Sequence, residues 1–101
     1  MEKWSIEQYC DRLQAMKCEA HDKLWLYIEV NAKEFMNECE PGVKNLNVCC
    51  KAMLAKMLEG DGFIVEPKSR SKCAGTLTIR YYVDNLSPER RTYAKAMEDQ
   101  K

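Results

Sequence analysis

Lys68, Arg70 and Lys72 alternate with Ser69 and Ser71, and no acid interrupts them. Cations and hydroxyls at that spacing suit successive phosphates of a polyanion backbone. Three to five such contacts give a slope of roughly −3 to −5 in log K against log salt. The same five residues also read as a solvated loop whose charge holds it in water. Six cysteines, Cys10, Cys18, Cys39, Cys49, Cys50 and Cys73, come next. In a reducing compartment free thiols act as small buried hydrophobes, and several of these fall on apolar helix faces. No C-x-x-C pair occurs, and Cys18-x-x-His21 would need metal partners from distant parts of the chain. His21 is the single histidine and reads as a polar residue in the turn after a helix. No Walker loop, G-x-G-x-x-G or H-E-x-x-H is present, so neither an enzyme, a cofactor nor a metal is expected. Asp61 lies between Gly60 and Gly62 and reads as turn chemistry.

The chain of 101 residues suits one domain over 1–101, with 46% apolar and 32% charged residues, a globular composition. No apolar run approaches the roughly 18 residues of a membrane span, and the N-terminal stretch lacks a signal-peptide core. The expectation is an intracellular, cytoplasmic protein. Formal net charge is zero, but residues 1–42 hold nine acids and five bases, whereas residues 43–101 hold eleven bases and seven acids. One end or face therefore prefers a polyanion.

Local signals place the elements. Ser5 and Gln8 form a capping-box pattern ahead of Ile6, Tyr9, Cys10, Leu13, Met16 and Ala20, predicting a helix at about 6–20. Residues 24–30, LWLYIEV, alternate as a strand and also align as a helix running on to Cys39. The Asn31 to Glu34 capping pattern favours the strand, with a helix from Ala32 to about Glu40, before Pro41 and Gly42. Asn47 predicts the cap of a helix over 48–59, with Cys50, Met53, Leu54, Met57 and Leu58 as its buried stripe and Gly60 just past its end. Phe63–Glu66 and Thr76–Val83 read as two strands joined by the cationic loop. Ser87 and Pro88 predict the start of a last helix over 87–99, with Tyr93, Ala94 and Met97 as its apolar stripe.

In this order the chain resembles a winged helix-turn-helix domain, on the pattern MLAKMLEGDGFIVEP followed by TLTIRYYV. The resemblance covers roughly residues 31–83, and residues 6–20 fit the family's first helix. The linker ECEPGVKNLN is longer than the usual tight turn. The resemblance implies an α+β winged-helix fold: a three-helix core over about 6–83, a small antiparallel sheet with a wing hairpin, and an added C-terminal helix. It implies double-stranded DNA as partner and helix 48–59 as the groove reader. Lys44, Asn45, Asn47, Val48, Lys51, Ala52, Ala55 and Lys56 fall near or on that helix's outer face. Lys68, Arg70 and Lys72 would hold phosphates.

A second set of residues points to protein contacts. Trp25, Tyr27 and Tyr82 share the outer sheet face if 24–30 is a strand, and exposed aromatics mark interfaces. Tyr93 and Met97 of the last helix either cover that face or, as the resemblance implies, contribute to a homodimer. Arg90 and Arg91, in the first turn of that helix, read as an anion contact, an acidic-partner surface or ordinary surface charge. Two functions follow: a small DNA-binding regulator of transcription, or a protein-interaction module on the same scaffold. By size and fold analogy, the second class includes adaptors and phage-encoded inhibitors of host machinery such as anti-CRISPR proteins.

Overall fold

A computed structural model describes residues 3–68, 70, 72–87 and 89–99. Among them the chain runs α1 (Ile6–Asp22), β1 (Tyr27–Asn31), α2 (Ala32–Cys39), α3 (Leu46–Ala55), β2 (Gly62–Val65), β3 (Thr78–Tyr82) and α4 (Tyr93–Asp99). The result is an α+β fold of four helices and a three-stranded antiparallel sheet with order β1-β3-β2.

Both halves of the α1 capping box form: Gln8 N–H donates to Ser5 Oγ at 3.2 Å and Ser5 N–H to Gln8 Oε1 at 2.8 Å. Helix α1 then buries Tyr9, Leu13, Lys17 and Ala20 along one stripe. It ends in a Schellman motif: Trp25 N–H donates to Ala20 O and Leu24 N–H to His21 O. Leu24 takes the left-handed position, φ +63°, that glycine normally fills. That cap holds residues 24 and 25, so the strand begins at Tyr27 rather than at Leu24.

Asn31 caps α2, accepting from Glu34 N–H at 3.1 Å while its amide donates to Gly75 O and Thr78 Oγ1. Helix α3 starts earlier than its pattern predicts and ends four residues sooner. Asn45 O accepts from Cys49 N–H, which moves the cap back from Asn47. Beyond Lys56 the backbone turns to face the segment ahead of α4. Leu58 bridges Thr92, Glu59 N–H donates to Arg91 O, and Tyr93 N–H donates to Met57 O. Gly60 is left-handed, φ +95°, one turn later than the actual helix end.

The predicted last helix is also shorter. Arg90 N–H donates to Ser87 O ahead of the helix, and the Thr92 hydroxyl caps α4 by accepting from Lys95 N–H. The predicted helix start at Pro88 lies outside the described residues, as do the wing hydroxyls Ser69 and Ser71.

The core joins Tyr9 and Leu13 of α1, Phe35 of α2, Cys49 and Met53 of α3, and Ile79 and Tyr81 of β3, with Leu77 just ahead of it. Each large apolar side chain there stabilises by about 1.5–3 kcal/mol through burial. Tyr81 keeps its hydroxyl satisfied by donating to Met53 O at 2.7 Å. Among the described residues no helix is long and apolar enough to cross a membrane.

Candidate functional site

The exposed ridge of α3 consists of Asn47, Lys51 and Ala55, four residues apart, with Lys44 just ahead of the helix. Its opposite face buries Cys49, Cys50, Ala52 and Met53. Ala52, expected on the outer face, packs instead toward α1, where Cys10 Sγ lies 3.9 Å from its carbonyl. Asn45 also leaves the predicted surface. It is 8% exposed, and its amide donates to Trp4 O and Glu40 Oε1, both at 2.9 Å. Lys56 is half-buried, and its carbonyl accepts from Lys17 Nζ at 2.6 Å.

The β2–β3 loop lies against the start of α3. Cys73 Sγ is 3.3 Å from Asn47 Oδ1 and 3.6 Å from Leu46 O, and Cys50 Sγ is 3.9 Å from Ala74 O. In this loop Lys68 and Arg70 are exposed and have no partner among the described residues. Lys72 differs. It is left-handed at φ +53°, pairs with Glu66 Oε2 at 2.8 Å, and lies 5.5 Å over the Phe63 ring. One of the three expected phosphate ligands is thus turned back onto its own hairpin.

The predicted partner residues divide into two groups. Tyr27 and Tyr82 meet edge-to-face at 5.8 Å on the outer sheet face, where Arg80 lies 4.5 Å over Tyr27 and bonds Glu29 through two donors. Trp25, 52% exposed, borders a groove of about 470 Å³ between α1 and β1. Tyr93 lies elsewhere. It meets Phe63 at 6.0 Å, and Phe63 pairs with buried Ile79 on the core side, so α4 leaves the outer sheet face uncovered. Met97 lines a second groove with Leu54, Met57 and Tyr93.

Arg90 is no surface charge. Its side chain is 6% exposed against 0% for Asp61, which its Nη2 meets at 2.7 Å. The other donors reach Glu59 O, Tyr82 O and Asn85 O. Asp61 in turn accepts from Leu58 N–H and Tyr82 N–H. The expected turn chemistry at Asp61 is therefore joined by a buried ion pair that fastens the segment after α3, β3 and the turn ahead of α4. Arg91 pairs with Glu59.

Two further buried polar groups were hidden in the sequence. Lys17 is fully buried, 4.6 Å over the Tyr81 ring, and burial pushes its ammonium down to about 8 while Asp61 pulls it back up. Its signal was spacing: it lies four residues after Leu13 and three before Ala20, within the buried stripe. Glu40 accepts from Tyr9 Oη at 2.5 Å, from Asn45 and from Trp4 N–H. Burial pushes that carboxyl up, but these hydrogen bonds outweigh it and hold it below the usual range.

The cysteines carry free thiols. Burial pushes Cys49 and Cys50 up to about 12 and Cys39 to about 11, so these three stay protonated and unreactive at neutral pH. His21 Nδ1 lies 2.6 Å from Val83 O at the end of α1. Among the described residues no three His, Cys, Asp or Glu side chains gather as a metal site. No protein-family model matches this chain, and no curated protein or solved structure matches it either.

Proposed function

We propose that this chain is a winged-helix DNA-binding regulator that grips duplex DNA with the α3 ridge and the β2–β3 loop. One observation carries the reading. Residues 41–58 hold Lys44, Lys51 and Lys56 without an acid, residues 67–83 hold Lys68, Arg70, Lys72 and Arg80 without an acid, and Cys73 joins the two segments beside Asn47. The order α1-β1-α2-α3-β2-β3 and a hairpin beside α3 support the winged-helix assignment.

In this reading α3 enters the major groove. Asn47 and Lys51 face base edges, and Lys44, Lys68 and Arg70 contact phosphates. Asn45 serves as a structural anchor of the α2–α3 connection instead. Lys72 contributes after exchanging Glu66 for a phosphate, at a cost of about 0–1 kcal/mol for an exposed pair. About four phosphate contacts give a salt slope near −3 to −4, or about 100-fold weaker binding on moving from about 50 to 200 mM salt. A titration of mixed-sequence duplex with the purified chain tests this. Saturable binding that weakens to that extent supports the reading, and no binding at about 50 mM salt eliminates it.

A second reading, a protein-interaction module, rests on a different surface: Leu24, Trp25, Leu26 and Tyr27 are four consecutive exposed apolar residues. Retention of a partner by wild type but not by Trp25→Ala, with no duplex binding by either, would select it.

A further inference from the structure

Independently of DNA binding, the sheet has a free edge at β1. β1 borders β3 on one side only and lies across the sheet from β2. Val83 N–H donates to Leu26 O and Ala32 N–H to Leu77 O, while Ile28 lies opposite Tyr81. In an antiparallel ladder the bonded residues alternate, so Leu26, Ile28, Val30 and Ala32 address β3. The main-chain groups of Tyr27 and Glu29 therefore point away from the sheet, and no described residue meets them. Soluble proteins usually cover or blunt such an edge.

Three features lie along it. The groove of about 470 Å³ between α1 and β1 is lined by Ile28 and Trp25. Leu24 is 92% exposed although it occupies a left-handed backbone position. An exposed leucine there combines two unfavourable choices, where glycine would relieve both. The third feature is charge: Lys23, in an exposed pair with Glu19 at 3.2 Å, lies at the start of the edge, and Glu34 and Glu38 lie at its far end, all exposed.

We infer that β1 pairs antiparallel with the β1 of a second copy of this chain, across a two-fold axis at Ile28, making one six-stranded sheet. In that register Tyr27 lies opposite Glu29 of the second copy and Glu29 opposite its Tyr27, so every outward donor and acceptor of both residues is matched. The two Ile28 side chains meet in the groove. Antiparallel pairing brings Lys23 of one copy toward Glu34 and Glu38 of the other, which complements charge. Neighbouring registers fail on the same criteria. An axis at Glu29 sets two carboxylates directly opposite, which is destabilising. An axis at Tyr27 sets Glu29 opposite Trp25, whose N–H already donates to Ala20 O.

Sedimentation velocity on the full chain from about 1 to 200 µM tests the pairing. The expected result is a rise from one to two chain masses. Glu29→Pro removes one outward N–H without touching the β3 ladder and should abolish the rise, whereas Glu29→Gln, which keeps the N–H, should retain it. Trp25→Glu places an acid near Glu34 of the second copy and should move the midpoint at least tenfold higher. Because Trp25 is half exposed, this variant tests the pairing even if Glu29→Pro fails to fold by circular dichroism. A single chain mass at every concentration overturns the inference. So does a folded Glu29→Pro that associates like wild type, or an unchanged midpoint for Trp25→Glu.

Discussion

Arg90 and Arg70 look alike in the sequence, each a guanidinium in a polar stretch with a second cation one or two residues away. Their surroundings are opposite. Arg90 lies buried against Asp61 and three backbone carbonyls. Arg70 and Lys68 stand exposed with no partner among the described residues. The first region holds the fold together, and the second keeps its charge in solvent. Charge type alone does not separate the two, because the separating fact is where the acids lie. Asp61 is 29 residues from Arg90 in sequence and in contact with it in space, whereas the loop's nearest acid, Glu66, takes only Lys72.

Substitutions can break this contrast. Arg90→Ala should have the largest effect, because it leaves Asp61 buried and unpaired; a loss of about 3–5 kcal/mol in urea unfolding is expected. A loss under about 1 kcal/mol would place Arg90 with the surface cations. Lys17 is the other buried cation, and its depressed ammonium makes a pH-dependent prediction. The unfolded chain binds that proton more tightly, so the Lys17 contribution is lowest below about pH 8. It recovers as pH rises toward the unfolded lysine value near 10.4. The buried thiols, Tyr9 and Tyr81, all raised, act in the opposite sense above about pH 9, so the wild-type curve alone does not isolate Lys17. The difference between wild type and Lys17→Met does. Wild type should gain up to about 3 kcal/mol relative to the variant between pH 7 and 10.5.

Lys68→Ala with Arg70→Ala should leave unfolding within about 0.5 kcal/mol of wild type. Leu24→Gly should stabilise the monomer by about 1 kcal/mol, since it relieves the left-handed leucine. Glu66→Gln is the smallest change. It frees Lys72 and removes the acid nearest the loop, and should tighten duplex binding by about two- to fivefold, read by fluorescence anisotropy.

Much of the fold was legible because its signals are local. The Ser5–Gln8 box, the Asn31 cap and the alternation in Thr78–Tyr82 each sit within a few residues of the structure they direct. What failed was set by distant partners. Helix α3 stops at Ala55 because residues 57–59 are claimed by the segment around Thr92. α4 starts late because Arg90 is fixed in the turn before it. Asn45 read as a surface amide, and only the arrival of Trp4 and Glu40 buries it. For the candidate site, residue types were legible but availability was not: Lys44, Asn47, Lys51, Lys68 and Arg70 stay exposed, while Asn45 and Arg90 are enclosed and Lys72 is paired.

Salt dependence of duplex affinity, measured for wild type beside the Lys68→Ala, Arg70→Ala double variant, tests the proposed DNA grip itself. Wild type should give a slope near −3 to −4, and the variant a slope shallower by about 2, with at least tenfold weaker binding at about 50 mM salt. Equal slopes and affinities for the two proteins would show that the β2–β3 loop does not hold DNA phosphates.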